Sequence, residues 1–247
     1  MKMIKALFFD LNGTLIDILT DEHDGNIYRT TANFLSYYGV CISPGLLKER
    51  YFDLNRQQRS SSSEEFPEFD VAEIFSCIIS DTTPEMPEDE KKELADSSSR
   101  VFRAASRLKL ELYPGVKNVL NVLKDRYILA AVSDGQKLWA EPEMRASGLD
   151  GYFSTVIVSG NYGFRKPDKR MYEYALEKLD LKPEEVVFIG NDMYRDIYGA
   201  KNAGMKTVFF KSNQGDHSPG GAEPDYIIYN FDELMRAIAF LEEKEKK

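Results

Sequence analysis

The sequence predicts an α/β fold, namely a doubly wound parallel sheet that carries an all-helical insertion after its first strand. Short apolar runs rich in β-branched and aromatic residues alternate with helical patterns over most of the chain, as in parallel sheets covered on both faces. The alternation stops between residues 17 and 110, where we expect helices and no strand. These two observations divide the chain into a core of residues 1–16 and 111–247 and a helical domain of residues 17–110.

Each predicted strand is an apolar run that ends in a polar residue or a glycine. The six strands are 4–9, 128–132, 155–158, 186–189, 207–210 and 226–228. Apolar residues at helical spacing predict core helices at 114–124, 168–179 and 195–203, the last ending before Gly204. The same spacing predicts four helices in the insertion, at 27–38, 45–57, 69–79 and 88–108.

Bulk composition excludes several classes of function. The formal net charge of −9 over 247 residues argues against a nucleic-acid or anionic-membrane binder, although it permits a small anionic substrate. Cys41 and Cys77 are far apart and match no zinc or disulfide pattern. No run has the features of a signal peptide or the length of a membrane span, so we expect a cytoplasmic protein without a membrane partner. The charge pattern leaves the oligomeric state open.

Chemically active residues follow four of the predicted strands. Because the carboxyl ends of parallel strands meet at one crevice, these residues are expected to lie together. They are Asp10 after the first strand, Ser133 and Asp134 after the second, Lys166 after the third, and Asn191, Asp192 and Asp196 after the fourth. A single aspartate after a strand is weak evidence, since Asp is a common helix cap, but four such sites in this order predict an active site.

These motifs resemble the haloacid dehalogenase-like hydrolase superfamily in both order and spacing. The resemblance covers 8–15, 113–116, 132–135, 166–168, 189–200 and 203–205. It implies a Rossmann-like core, and the helical insertion is similar to the C1 type of cap, with hinges near 15–17 and 109–113. About thirty residues separate Ser133 from Lys166, too few for the α/β cap that other members insert there.

The residue types are those that phosphoryl transfer requires. A phosphate ester repels an anionic nucleophile, so Asp10 needs cations beside the phosphoryl group: Lys166 and a Mg²⁺ ion held by Asp10 and Asp192. The Ser133 hydroxyl and the amides of the turn 10–13 can bind phosphoryl oxygens. Attack gives an aspartyl-phosphate, which water hydrolyses. The expected reaction is the Mg²⁺-dependent hydrolysis of a small phosphorylated metabolite.

The resemblance implies a role for each site residue. The catalytic set is Asp10, Asn12, Ser133 and Lys166; the substrate-binding set is Leu11, Asn12, Ser133, Asp134 and Lys166; and the metal set is Asp10, the Asn12 carbonyl, Asp192 and Asp196. Two assignments stay open at this point. Asn191 stands where many members carry a metal-binding aspartate, although we prefer Asp192. Asp196 either supports the metal site or stabilises the start of the helix near residue 195.

Asn12 departs from the Asp-x-Asp motif of the family's phosphatases. The second Asp protonates the leaving oxygen, and an amide cannot do so because it does not titrate in this range. General acid–base catalysis contributes about 10²–10⁴ in rate, so a phosphatase with Asn12 is expected to be slow. Two alternatives need no such proton: a 2-haloacid dehalogenase-like hydrolase, a branch that usually has tyrosine at this position, and a non-catalytic binding or regulatory protein.

Overall fold

The core is a six-stranded parallel sheet, as the sequence predicts. The computed structural model describes residues 3–218 and 220–244. The strands lie in the order β5-β4-β1-β6-β7-β8, and every neighbouring pair is parallel. Their bounds are β1 Ala6–Phe9, β4 Ile128–Ser133, β5 Thr155–Val158, β6 Val186–Gly190, β7 Lys206–Phe210 and β8 Tyr226–Ile228. All six predicted strands are confirmed to within two residues at each end.

Helices cover both faces of the sheet because side chains alternate across each strand. In β1, Leu7 and Phe9 belong to one apolar cluster together with the helices at 116–123 and 234–244, whereas Ala6 and Phe8 belong to a second cluster with the helix at 170–179. The sheet is therefore doubly wound. The core helices are α5 Val116–Leu123, α6 Lys137–Ala146, α7 Arg170–Leu179, α8 Gly199–Asn202 and α9 Leu234–Lys244, with short 3₁₀ turns at Ser159–Asn161, Pro183–Glu185 and Phe231–Glu233.

The insertion, called the cap below, contains four helices with an apolar cluster of their own. They are α1 Gly25–Ser36, α2 Pro44–Ser61, α3 Val71–Thr82 and α4 Glu88–Ser106. Asp24, Ser43 and Asp70 cap the first three, each accepting a hydrogen bond from a free backbone N–H of the first turn. Tyr28 and Tyr51 are fully buried among aromatic neighbours. Within the described residues, no helix is long and apolar enough to cross a membrane.

The expectation of no strand between residues 17 and 110 is wrong. β2 (Ile16–Thr20) and β3 (Arg107–Leu112) form an antiparallel ribbon at the base of the cap. Ile16 and Ile18 are buried while Asp17 and Leu19 are not, an alternation too short to stand out in the sequence. The ribbon crosses both predicted domain boundaries, so the segments expected to be hinges are paired strands.

Helix α6 of the core packs into the cap. The Trp139 ring belongs to the apolar cluster of the cap, and its Nε1 donates to the Ser99 carbonyl of α4 at 3.0 Å. Beside it, Arg103 Nε of α4 donates to Glu143 Oε1 of α6 at 2.6 Å, and the guanidinium lies 4.8 Å from the Trp139 ring centroid. Both charged side chains are largely buried. The cap is therefore attached to α6 as well as to the ribbon.

The helix predicted at 195–203 begins two residues earlier and starts as a π-helix. A π-helical turn, Met193–Tyr198, precedes the short α8. Its widened backbone leaves the Arg195 carbonyl free to accept from the Tyr172 hydroxyl, which lies against Gly199. π-Helical turns are rare and occur frequently at functional sites, and this one directly follows the expected active-site residues of β6.

Candidate active site

The predicted site residues of three neighbouring strands come together at one edge of the sheet. β1 lies between β4 and β6, so Asp10 lies between Ser133 and the Asn191–Asp192 pair. Lys166 reaches them from the loop that follows β5. All of these side chains are buried. The order of the parallel strands thus places these side chains together at the carboxyl ends of the strands.

Lys166 joins two carboxylates in the interior. Its Nζ lies 2.7 Å from Asp10 Oδ1 and 2.7 Å from Asp196 Oδ1, and the lysine side chain is only 2% exposed. Burial lowers the pKa of Lys166, but Asp10 and Asp196 outweigh that effect and raise it above the usual range. Lys166 is therefore a fixed positive charge directly beside the Asp10 carboxylate.

Asp196 supports this arrangement from behind. Its Oδ2 accepts hydrogen bonds from the backbone N–H groups of Asn191 and Asp192, each at 3.0 Å, while Oδ1 faces Lys166. Burial raises the pKa of Asp196 to about 6, and Lys166 opposes the rise. Both oxygens are thus occupied in fixing Lys166 and the loop after β6. This contact pattern corresponds to the supporting role for Asp196 rather than to direct metal binding.

Thr14 connects Asp10 to Asn191. Its Oγ1 lies 3.0 Å from Asp10 Oδ2 and 3.0 Å from Asn191 Oδ1. A hydroxyl has one proton, so Thr14 can donate to only one of these two oxygens at a time. Gly13 and Gly215 pack on this amide with positive φ, and a Cβ at either glycine would overlap Asn191. The backbone is built closely around Asn191.

Asp192 faces a different partner. Its Oδ1 accepts from the Tyr194 and Arg195 N–H groups, and its Oδ2 accepts from Arg195 Nε at 2.9 Å and from the Asp216 N–H at 3.2 Å. Burial raises the pKa of Asp192, but the amide and guanidinium of Arg195 outweigh it and hold the pKa below the usual range. Of Asn191 and Asp192, it is therefore Asn191 that contacts Thr14 together with Asp10. Asn191 is the alternative that the sequence left open.

The last residue of β4 supplies a hydroxyl, and the residue after it supplies a further acid. Among the described residues, the one hydrogen bond of Ser133 Oγ is long, 3.3 Å to the Asp134 carbonyl. Asp134 Oδ1 accepts from the Lys166 N–H at 3.0 Å. Oδ2 accepts no hydrogen bond from any residue that the structure describes and lies 3.7 Å from Arg195 Nη1. Burial raises the pKa of Asp134. The Asp134 side chain thus positions the Lys166 backbone through Oδ1.

The turn after Asp10 is closed by backbone hydrogen bonds. The Leu11 carbonyl accepts from the N–H groups of Thr14, Leu15 and Ile16. The Leu11 side chain belongs to the main apolar cluster, so Leu11 can contact a substrate only through its backbone. Asn12 is half-buried at the edge of this turn.

The oxygen atoms of the site fit Mg²⁺ with one protein carboxylate. Within the residues that the structure describes, no three His, Cys, Asp or Glu side chains form a metal-binding group. Mg²⁺ is nevertheless commonly bound through one or two carboxylates plus substrate oxygens and water. Asp10 Oδ2 and Asn191 Oδ1 converge on Thr14 and supply one carboxylate and one amide oxygen.

Sequence reasoning missed Thr14 and Arg195. Thr14 lies four residues after Asp10 in the Gly-Thr turn, and its hydroxyl could have been recognised as a partner for a carboxylate at that spacing. Arg195 is three residues after Asp192 on a helical turn, where ion pairs form readily.

Comparisons with known proteins identify the family of this chain. A family model described as haloacid dehalogenase-like hydrolase matches residues 4–204. The chain is 35% identical to the glyceraldehyde 3-phosphate phosphatase of Pyrococcus furiosus over 96% of this chain and 94% of that protein. It is 24% identical to the phosphoglycolate phosphatase of Vibrio cholerae, over 96% of this chain and 98% of that protein. A 2-haloacid dehalogenase structure from Pseudomonas syringae pv. Tomato shares the fold, with a TM-score of 0.67 and 23% identity over 97% of this chain and 100% of that one. The chain therefore belongs to the haloacid dehalogenase-like hydrolase family.

Proposed function

We propose that this protein hydrolyses a small phosphate monoester through an aspartyl-phosphate at Asp10. The observation that carries the proposal is the buried contact between the Asp10 carboxylate and the Lys166 ammonium, 2.7 Å apart at the end of the central strand. A fixed cation at this distance offsets the repulsion between a carboxylate nucleophile and a phosphate dianion.

Relatives narrow the substrate class. The Pyrococcus furiosus relative is named a glyceraldehyde 3-phosphate phosphatase, and those of Pyrococcus abyssi and Methanothermobacter thermautotrophicus carry the same name. We therefore propose a small phosphorylated metabolite, with glyceraldehyde 3-phosphate as the first compound to test.

The reaction has two displacements. An Asp10 oxygen attacks phosphorus as the bond to the leaving oxygen breaks, while Lys166 and Ser133 hold the other phosphoryl oxygens. Water then attacks phosphorus, releasing inorganic phosphate and restoring Asp10. In both steps a proton must move, to the leaving oxygen and from the attacking water. Since Asn12 cannot carry it, solvent water does so at a lower rate.

Mg²⁺ would be held by Asp10, the Asn12 carbonyl and the Asn191 side-chain oxygen. When bound, the ion adds positive charge beside the phosphoryl group. Asn191 replaces Asp192 in this proposal because Arg195 and three backbone N–H groups already occupy both carboxylate oxygens of Asp192. Asp196 is assigned to Lys166 for the same reason.

The test is phosphate release from glyceraldehyde 3-phosphate and from an aryl phosphate, with Mg²⁺ and with EDTA. Asn12→Asp is expected to raise the rate on the alkyl ester by about 10²-fold or more, and less on the aryl ester, whose leaving group needs no proton. Asp10→Asn is the matched control and is expected to abolish turnover. If Asn12→Asp gains nothing on either ester, the missing-proton explanation is wrong. Chloride release from a 2-haloacid without metal would replace the phosphatase assignment.

A further inference from the structure

A short segment of the cap, residues 64–71, lies against the two core loops that carry Ser133 and Lys166. Pro67 pairs with Phe164 in an antiparallel bridge: the Glu68 N–H donates to the Gly163 carbonyl and the Arg165 N–H donates to the Phe66 carbonyl, each at 2.9 Å. Lys166 is the next residue along the chain. The backbone of this cap segment therefore helps to fix the loop that delivers the lysine.

The same segment contacts the loop that follows Ser133. Gln136, which is 4% exposed, donates from Nε2 to the Phe69 carbonyl at 2.6 Å and accepts at Oε1 from the Val71 N–H at 3.2 Å. Both phosphate-binding loops are thus bound to one piece of the cap.

Glu68 is the buried acid at the centre of these contacts, and no step of the proposed reaction uses it. Its Oε2 accepts from Ser159 Oγ at 2.8 Å, and its Oε1 accepts from the Phe69 N–H at 3.0 Å with Arg59 at 3.5 Å. Ser159 is fully buried, and its Oγ in turn accepts from the Gly135 N–H at 2.8 Å. Burial raises the pKa of Glu68, so keeping an ionisable group here costs stability.

The hydroxyl of Ser159 has a defined direction. Because it accepts from Gly135, its single proton is available for Glu68 Oε2 at 2.8 Å or for the Gly135 carbonyl at 3.3 Å, and the shorter bond to a carboxylate is the stronger. Glu68 therefore orients Ser159, and Ser159 fixes the amide of Gly135, two residues after Ser133.

We infer that Glu68 is a positioning residue that holds the loop after Ser133 in its phosphate-binding geometry through Ser159, so that the cap and the phosphate site are set together. This inference rests on the proposed function, because it takes the Ser133 and Lys166 loops as the phosphate site. The side-chain hydrogen bonds of Glu68 go to Ser159 and Phe69, so it acts on the loop after Ser133 through the Ser159 hydroxyl.

The test compares Glu68→Ala, Glu68→Gln, Ser159→Ala and the double Ala variant in the full chain. Amide hydrogen exchange measures the protection of the Gly135 N–H. Titration calorimetry with orthophosphate in the presence of Mg²⁺ measures the affinity of the site for phosphate. Glu68→Ala is expected to weaken phosphate binding about tenfold, the effect of one lost buried hydrogen bond, and to speed Gly135 exchange by a similar factor. Glu68→Gln is expected to stay within about threefold of wild type, because its amide can donate to Ser159 Oγ and accept from Phe69.

The effects of Glu68→Ala and Ser159→Ala are expected to be non-additive, because both variants break the same chain of hydrogen bonds from Glu68 through Ser159 to Gly135. Additive effects, or faster exchange spread evenly over all strands, would show a general structural role and overturn the inference, as would unchanged Gly135 exchange in Glu68→Ala. Failure of the proposed function gives a different result: wild type would not bind orthophosphate, while Gly135 exchange would still respond to Glu68→Ala.

Discussion

Asn191→Asp should convert the site into one that depends on a cation for stability. Asp10 Oδ2 and Asn191 Oδ1 both lie 3.0 Å from Thr14 Oγ1, so they cannot be farther apart than twice that distance. At about 4–6 Å and an effective dielectric constant near 20, two unit charges repel by about 3–4 kcal/mol. Without metal, we expect a fall in melting temperature of about 6–16 °C.

The assay is thermal unfolding of wild type and variant in EDTA and in Mg²⁺. A second carboxylate gives Mg²⁺ a stronger site, and Mg²⁺ at about 100 times its Kd returns about 2.7 kcal/mol, most of the loss. Asp192→Asn is the matched control, because its carboxylate binds Arg195 and its removal should leave the Mg²⁺ response unchanged. If Asn191→Asp melts at the wild-type temperature in EDTA, or if only Asp192→Asn abolishes the Mg²⁺ response, the assignment of Asn191 to the metal side of the site is wrong.

Three further predictions concern buried charges. Lys166→Met leaves the carboxylates of Asp10 and Asp196 unpaired and should lower the free energy of unfolding by about 3–5 kcal/mol in urea titrations at pH 7; a loss below about 1 kcal/mol would contradict the buried ion pairs. Arg103→Met leaves the buried Glu143 carboxylate of α6 without its guanidinium partner and should lower the free energy of unfolding by about 3 kcal/mol in the same titrations. Arg103→Lys should lower it by less. Burial raises the pKa of Glu68, so its contribution to stability is full below the usual glutamate pKa and is lost as pH rises through the folded-state pKa. Glu68→Gln should therefore have a higher melting temperature than wild type at pH 7 and the same melting temperature near pH 4. Equal melting temperatures of the two proteins at both pH values would exclude a raised pKa.

The parallel sheet could be predicted because each strand is buried on both faces and reads as a continuous apolar run. β1 and β6 are entirely buried, and the sequence locates both to within two residues. β2 and β3 are only partly buried, and they pair across about ninety intervening residues. Their stability comes from that pairing, which leaves no local pattern to find.

The membership of the site was predictable, but the direction of its side chains was not. Strand order brings Asp10, Ser133 and the residues after β6 to one edge whatever their rotamers. The choice between Asn191 and Asp192 depends on which of two adjacent side chains faces Thr14 and which faces Arg195, a matter of local geometry.

The contacts of Glu68 were also beyond the reach of sequence. The bond from Ser159 to Glu68 joins residues that are 91 positions apart in the chain. In the sequence alone, Glu68 is one acid among many.

The packing of α6 against α4 determines which segments of this protein must be exchanged together when a chimera is made with a relative. Trp139 and Glu143 belong to the core by sequence, yet their partners Ser99 and Arg103 are in the cap. A chimera that takes residues 17–110 from a relative would set a foreign α4 against this tryptophan and leave a carboxylate without its guanidinium. Recombination should therefore move α6 with the cap, even though about thirty residues of chain separate the two segments.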